Sequence, residues 1–181
     1  MHIIGGIYKG RNLFFSKNDK LRPSQNKVRE ALFDILQERI VDTDFLDLCS
    51  GTGGIGLEAI SRGANRTMFV DLDVSLIYKN RAILSEIDQQ KCNVYKQDAI
   101  NFLKKCKSKF DIIFFDPPWQ SIELYKLALN SIIEFDILKP KGLLIIEHRK
   151  NVPIPIDSDQ AQIKDYKYGD TILTFVSLKT I

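Results

Sequence analysis

From Asp44 onward, short apolar runs alternate with helix-length segments, and few residues separate them. Phe45–Cys49 reads as a strand, followed by a glycine loop and a helix over Ile55–Arg62 that Gly63 ends. Thr67–Asp71 and Asn93–Gln97 read as the next strands, followed by helices over Val74–Ile87 and Ile100–Cys106. Asp111–Phe115 and Gly142–Glu147 complete the series around a helix over Ile122–Phe135. Such alternation leaves room for crossover helices and little else, so it calls for a parallel sheet covered on both faces. The end breaks the rhythm. Gln162–Tyr168 and Thr171–Leu178 are strand-like and joined by Gly169-Asp170, an antiparallel hairpin closing the sheet.

The N-terminal third has another pattern. Gly5-Gly6 and Gly10 punctuate the strand-like runs Ile7–Tyr8 and Asn12–Phe15, predicting a short β-hairpin in residues 1–23. Arg22 before Pro23 stays extended, and Ser24 then caps a helix with Val28, Leu32, Ile35 and Leu36 on one face. No linker divides the 181 residues, so one domain is expected: the basic extension 1–23, then helix and core over 24–181. The longest apolar runs fall far short of the roughly 20 residues of a membrane helix. No apolar segment comes after a basic start at the N-terminus, so no signal peptide is expected. Three scattered cysteines suggest a reducing compartment, the cytoplasm, and no zinc site.

Charge is unevenly placed. Residues 1–29 carry Lys9, Arg11, Lys17, Lys20, Arg22, Lys27 and Arg29 against Asp19 alone, so this segment is +6 in a chain of net +3. A basic arm on a slightly acidic body suggests a docking surface for a polyanion; a solvated tail fits equally well. In the docking reading, removing the arm leaves a folded core, unless the arm packs on the sheet and the cooperative melt goes with it.

Chemistry concentrates at two strand ends. Gly51-Thr52-Gly53-Gly54-Ile55-Gly56 comes after the first strand and opens a helix, where glycines let a ligand approach the main chain. Asp71, 20 residues beyond Gly51 at the end of the second strand, can accept hydrogen bonds from ribose hydroxyls. A nicotinamide dinucleotide and S-adenosylmethionine (SAM) both fit these features. Asp116-Pro117-Pro118-Trp119 ends the fourth strand. Its prolines remove two backbone donors and leave carbonyls to accept, so a carboxylate and a carbonyl can together hold an exocyclic amine. Trp119 offers a stacking face.

These features resemble class I SAM-dependent methyltransferases, and the tetrapeptide is similar to the (Asn/Asp/Ser)-Pro-Pro-aromatic motif of enzymes that methylate exocyclic or amide nitrogens. Further stretches narrow the resemblance: Ile3-Ile4-Gly5-Gly6-x-x-Lys9-Gly10-Arg11-x-Leu13, Leu21-Arg22-Pro23-Ser24, Val28-Arg29-Glu30-x-Leu32-Phe33 and Leu57–Ala64. They look like the RsmD-type 16S rRNA guanine-N2 methyltransferases, with Ser24 in place of the commoner threonine and Trp119 in place of phenylalanine or tyrosine. The resemblance implies a Rossmann-like α/β fold with a mostly parallel seven-stranded sheet and a C-terminal antiparallel hairpin. It assigns SAM to Asp47, Ser50, Gly51, Thr52, Gly53, Asp71, Leu72, Asp98, Ala99 and Asp116. It assigns catalysis to Asp116, Pro117, Pro118 and Trp119.

Lys9, Arg11, Arg22 and Arg29 are expected to meet RNA. The implied partner is 16S rRNA, within the small ribosomal subunit, with no membrane or metal and the chain acting as a monomer. Rival readings are methylation of adenine N6 or of a protein glutamine, an RNA-binding assembly factor that retains SAM, and an NAD-dependent dehydrogenase. Asp98 serves equally well as a helix cap. Glu147-His148 reads as a strand-end polar pair, Cys49 as a small core residue, and Asn151–Gln160 matches no pattern.

Overall fold

A computed structural model describes residues 1–15, 23–156, 159 and 161–179. In chain order the elements are α1 (Pro23–Leu36), a 3-10 turn (Gln37–Ile40), β1 (Asp44–Leu48), α2 (Gly54–Ser61), β2 (Arg66–Asp71), α3 (Ser75–Arg81) and α4 (Glu86–Gln90). They continue with β3 (Cys92–Lys96), α5 (Ala99–Lys105), β4 (Phe110–Phe115), α6 (Ile122–Glu134), β5 (Leu138–Arg149), β6 (Ala161–Tyr168) and β7 (Thr171–Leu178). The seven strands form one sheet in the order β3-β2-β1-β4-β5-β7-β6. Strands β1 to β5 are parallel, and β7 runs antiparallel to both β5 and β6. The expected fold is the observed one.

Alternation along the strands divides the core in two. Phe45, Phe69, Ile112 and Phe114 face Val28, Leu32, Leu57 and Ile77 from α1, α2 and α3. Leu46, Leu48, Val70 and Ile113 face Phe102, Leu103, Tyr125 and Leu129 from α5 and α6. Strands that are buried on both faces read as continuous apolar runs, as these do. No described helix is long and apolar enough to cross a membrane.

Three boundaries differ from expectation. Helix α1 starts at Pro23, a residue whose fixed φ suits the first helical position, so Ser24 lies inside the helix and not at its N-cap position. The helix expected over Val74–Ile87 breaks into α3 and α4. Ser85 caps α4 by accepting from Asp88 N–H at 3.2 Å, and its own N–H donates to the Tyr8 hydroxyl at 2.9 Å. Strand β5 is longer than Gly142–Glu147 and begins before a register shift opposite Phe110–Ile112.

The N-terminal arm folds back as expected, but among the described residues through a single antiparallel bridge between His2 and Asn12, with a turn where a strand was expected at Ile7–Tyr8 and no strand over Asn12–Phe15. It packs on the body. Ile3, Tyr8 and Leu13 join the core cluster of α1 and α2. Tyr8 donates to Asp88 at 2.5 Å, and the Ile4 and Gly5 N–H groups donate to the buried Glu58 carboxylate at 2.8 and 2.6 Å. Tyr8→Phe removes the hydroxyl that joins the arm to Ser85 and Asp88, and is expected to lower the stability measured in urea by about 1–2 kcal/mol.

Candidate functional site

Strand order reverses between β1 and β4, where ligands of open parallel sheets bind beyond the carboxyl ends of the strands. Leu48 pairs with Val70 and with Phe115, and Val70 pairs with Tyr95, so all four strands finish along one edge. The strand ends and their exit loops therefore meet there: the glycine loop after β1, Asp71 at the tip of β2, Asp98 beyond β3 and Asp116 beyond β4.

The loop is built by backbone geometry. Cys49 adopts φ +64°, a strained conformation for a side-chain-bearing residue, and its N–H remains paired to Val70 O at 2.9 Å. Ser50 ties the turn to β2: its hydroxyl donates to the Asp47 carbonyl and accepts from Val70 N–H at 2.9 Å. Gly53, at φ +75°, starts α2 without a side-chain cap. Gly56 lets α2 settle onto β2, because a Cβ there would lie 2.3 Å from the Phe69 ring.

Asp47 lies beneath this loop, buried, and accepts from Gly56 N–H at 2.9 Å, so its carboxylate shapes the start of α2. Burial pushes its carboxyl up to about 8, despite the Gly56 hydrogen bond, with nearby Asp71 adding to the shift. The folded state thus binds a proton that the unfolded chain releases near its ordinary value of 3.8, and Asp47 costs stability increasingly as pH rises from about 4 to 8. Asp47→Asn is expected to be more stable than the parent at pH 8, by on the order of a few kcal/mol, and to lose that advantage near pH 4. Urea unfolding at several pH values checks this.

Asp71 accepts from Gly51 N–H at 2.8 Å and from Asp73 N–H at 3.0 Å, binding the loop to β2. Each carboxylate oxygen keeps a second lone pair for a ligand hydroxyl. Leu72, the next residue, is 69% exposed. Asp98 caps α5, accepting from Asn101 N–H at 3.0 Å, so its capping role is realised, and Ala99 behind it is buried. Asp116 N–H donates to Leu48 O at 3.3 Å, joining the tetrapeptide to β1. The Pro118 carbonyl accepts from Ser121 N–H at 2.9 Å, so one of the two proline carbonyls serves a turn. Trp119 is half-buried, with the Arg149 guanidinium 4.4 Å from its ring centre.

The edge is strongly acidic. Burial, then the charges of Asp71, Asp116, Asp47 and Asp98 in that order, push the Cys49 thiol up to about 12. The thiol is no nucleophile, and all four carboxylates stand within electrostatic reach of one atom. Burial first, then Glu147 and Asp47, hold the Asp116 carboxyl well above the usual carboxylate range, and burial raises Glu147 as well. His148 is buried, 2.8 Å from the Thr174 hydroxyl, which donates to Asp165, so it belongs to the packing of β5 on β7.

The expected RNA contacts divide. Lys9 and Arg11 are exposed, although Arg11 also donates to Ile83 O at 2.8 Å. Arg29 is buried, which removes it from any RNA surface. Arg22 lies outside the described residues. Sequence reasoning missed Asn80, which is fully buried. Its side-chain amide donates to Thr52 O and Phe14 O, both at 2.9 Å, and its side-chain oxygen accepts from Phe14 N–H. Asn80 thereby fastens the arm to the glycine loop. It also missed Arg149, whose position over Trp119 had no local signature.

The family described as Conserved hypothetical protein 95 matches residues 1–177. Ribosomal RNA small subunit methyltransferase D of Haemophilus influenzae is 30% identical over 173 residues, covering 93% of this chain and 89% of that protein. The chain belongs to this RsmD-type family of class I SAM-dependent methyltransferases. A Bacillus subtilis protein, putative rRNA methyltransferase YlbH, is 34% identical over 86% of each chain. The solved structure of the putative methyltransferase yhhF from Escherichia coli superposes with a TM-score of 0.87 at 28% identity, covering 100% of this chain and 99% of that one.

The residues present fit the family's cofactor. A sulfonium and an ammonium group suit an edge lined with Asp71, Asp98 and Asp116.

Proposed function

We propose that this RsmD-type chain, working as a single domain and a monomer in the cytoplasm, transfers the methyl group of SAM to the exocyclic N2 of a guanine in 16S rRNA of the small ribosomal subunit. The observation that carries this reading is the placement of Asp116-Pro117-Pro118-Trp119 beyond β4, across the strand-order switch from the glycine loop. The names of the relatives, rRNA methyltransferases, support the substrate class.

SAM supplies an electrophilic methyl group; the chain supplies alignment. Asp71 takes the ribose hydroxyls and Asp98 the adenine amine, with Leu72 and Ala99 lining that end. Ser50, Gly51, Thr52 and Gly53 form the backbone cradle for the amino-acid end, and Asp47 supports it from below. The lone pair of a guanine amine is delocalised into the ring. Asp116 and the Pro117 carbonyl accept its two hydrogens, favouring a pyramidal nitrogen whose lone pair points at the methyl group. Asp116, with its raised affinity for protons, is placed to take the proton released. Pro118 holds the turn, and Trp119 stacks on the unstacked base.

Asp71→Ala is expected to weaken SAM binding in calorimetry by roughly 1.5–3 kcal/mol. RNA docking falls to Lys9 and Arg11 of the arm, with Arg149 beside Trp119. Lys9→Ala is expected to flatten the log–log salt dependence of RNA binding by about 0.7–0.9. Labelled SAM offered in parallel to undermethylated small subunits, duplex DNA and cell protein tests the substrate class. Label in rRNA alone is expected. Label in DNA or protein would favour the rival nitrogen targets, and SAM binding without turnover would favour an assembly factor.

A further inference from the structure

Arg29 stands on α1 with 4% of its surface exposed, yet its Nε and Nη1 have no hydrogen-bond partner. Only Nη2 is engaged, donating to the His2 carbonyl at 2.6 Å and toward Asn26 Oδ1 at 3.4 Å. A buried guanidinium with two unsatisfied donors is among the costliest groups a chain can hold, and calls for an acceptor. Glu58, the acid whose charge it feels, is spoken for. That carboxylate accepts from Ile4 N–H, Gly5 N–H and Arg62 Nε, all within 2.8 Å.

The unpaired edge of Arg29 points to the cofactor loop. A Cβ built on Gly54 would come 3.3 Å from Arg29 Nη1 and 3.3 Å from Thr52 Oγ1, so the guanidinium borders the junction of the glycine loop and α2. At that junction Gly53, the residue before α2, offers no side-chain cap, and Asp47 engages only the Gly56 N–H, so the Gly54 and Ile55 N–H groups are left for a ligand's acceptor. The positive end of a helix and an unpaired cation therefore face one small region, opposite in sign to the acids along the rest of the edge. We infer that Arg29 binds the α-carboxylate of SAM's methionine, the single anionic group on an otherwise cationic cofactor. The inference rests on SAM occupying this loop. It gives the buried Arg29 a specificity role: selecting an intact amino-acid tail over nucleosides that lack one.

The test compares S-adenosylhomocysteine with its analogue lacking only the carboxylate, by calorimetry on the full chain. The parent is expected to prefer S-adenosylhomocysteine by about 10–100-fold. Arg29→Met, which fills the space without an unpaired charge, is expected to reduce this preference below about threefold. It does so by weakening S-adenosylhomocysteine and leaving the analogue unchanged, and Arg29→Lys retains part of the preference. The ligand-free Met variant is expected to melt cooperatively at or above the parent's temperature, because an unsatisfied buried cation has gone. A parent without the preference, or a Met variant that keeps it, overturns the assignment. A Met variant that no longer melts cooperatively also overturns it, since Arg29 would then be structural. Failure of the parent to bind S-adenosylhomocysteine at all would instead overturn the cofactor reading beneath it.

Discussion

Asp116→Ala is expected to lower the methyl-transfer rate by about 10²–10³-fold while SAM affinity changes little, because its carboxylate acts on the acceptor amine. The size reflects what remains. With Asp116 gone, the Pro117 carbonyl alone receives the amine hydrogens, and the proton released loses its nearest carboxylate acceptor. Asp116→Asn keeps an acceptor oxygen in a similar shape and is expected to lose less. The two also differ in pH dependence. Burial, Glu147 and Asp47 hold the Asp116 carboxyl above the usual carboxylate range, and only its ionised form accepts a proton. Parent activity is therefore expected to fall as pH drops through the raised value, and Asp116→Asn to lose that limb. Wild-type turnover by Asp116→Ala would reduce the tetrapeptide to a strand exit. Trp119→Phe is expected to be tolerated better than Trp119→Ala, since it keeps a stacking face.

Deleting residues 1–15 is expected to abolish the cooperative melt and SAM binding together. Ile3, Tyr8 and Leu13 are each buried in the cluster with α1 and α2. Burial of one such side chain is worth about 1.5–3 kcal/mol, so their combined loss approaches the roughly 5–15 kcal/mol by which domains are stable. The deletion also strips two amide donors from the fully buried Glu58, and removes the Phe14 partner of Asn80 beside Thr52. Of the two outcomes that the basic arm allowed from sequence, the packing supports loss of the melt. Circular dichroism and calorimetry of the truncated chain check this, and a folded, SAM-binding product would contradict it.

The sheet and the site edge were legible because their signals are local. Apolar runs that end in Gly51, Asp71, Asp98 and Asp116 mark strand ends, and parallel register brings these ends together. Where partners are distant in sequence, the reading failed. At the break between α3 and α4, the local cap of Ser85 on Asp88 N–H was overlooked, and the Tyr8 hydroxyl that meets Ser85 N–H comes from 77 residues away. Arg29 looked like part of a basic arm because the apolar stripe Val28, Leu32, Ile35 and Leu36 suffices for one buried face. Yet Phe33 and Leu36, four and seven positions beyond Arg29, are both buried, and that second stripe placed Arg29 inside. Glu58 and Arg62, at helical i,i+4 spacing, resemble a surface pair, yet Glu58 is fully buried beneath the arm's amides and Arg62 is half-buried with its guanidinium 4.9 Å from the Phe33 ring.

The proposed activity stands most directly on the identity of the methylated atom. Small ribosomal subunits from cells lacking the enzyme, incubated with the protein and labelled SAM, can be digested to nucleosides and read by mass spectrometry. The label is expected in N2-methylguanosine, at a single position of the 16S rRNA, and to be absent with Asp116→Ala. Label in N6-methyladenosine or methylglutamine, or none in rRNA from a protein that binds SAM, would contradict it.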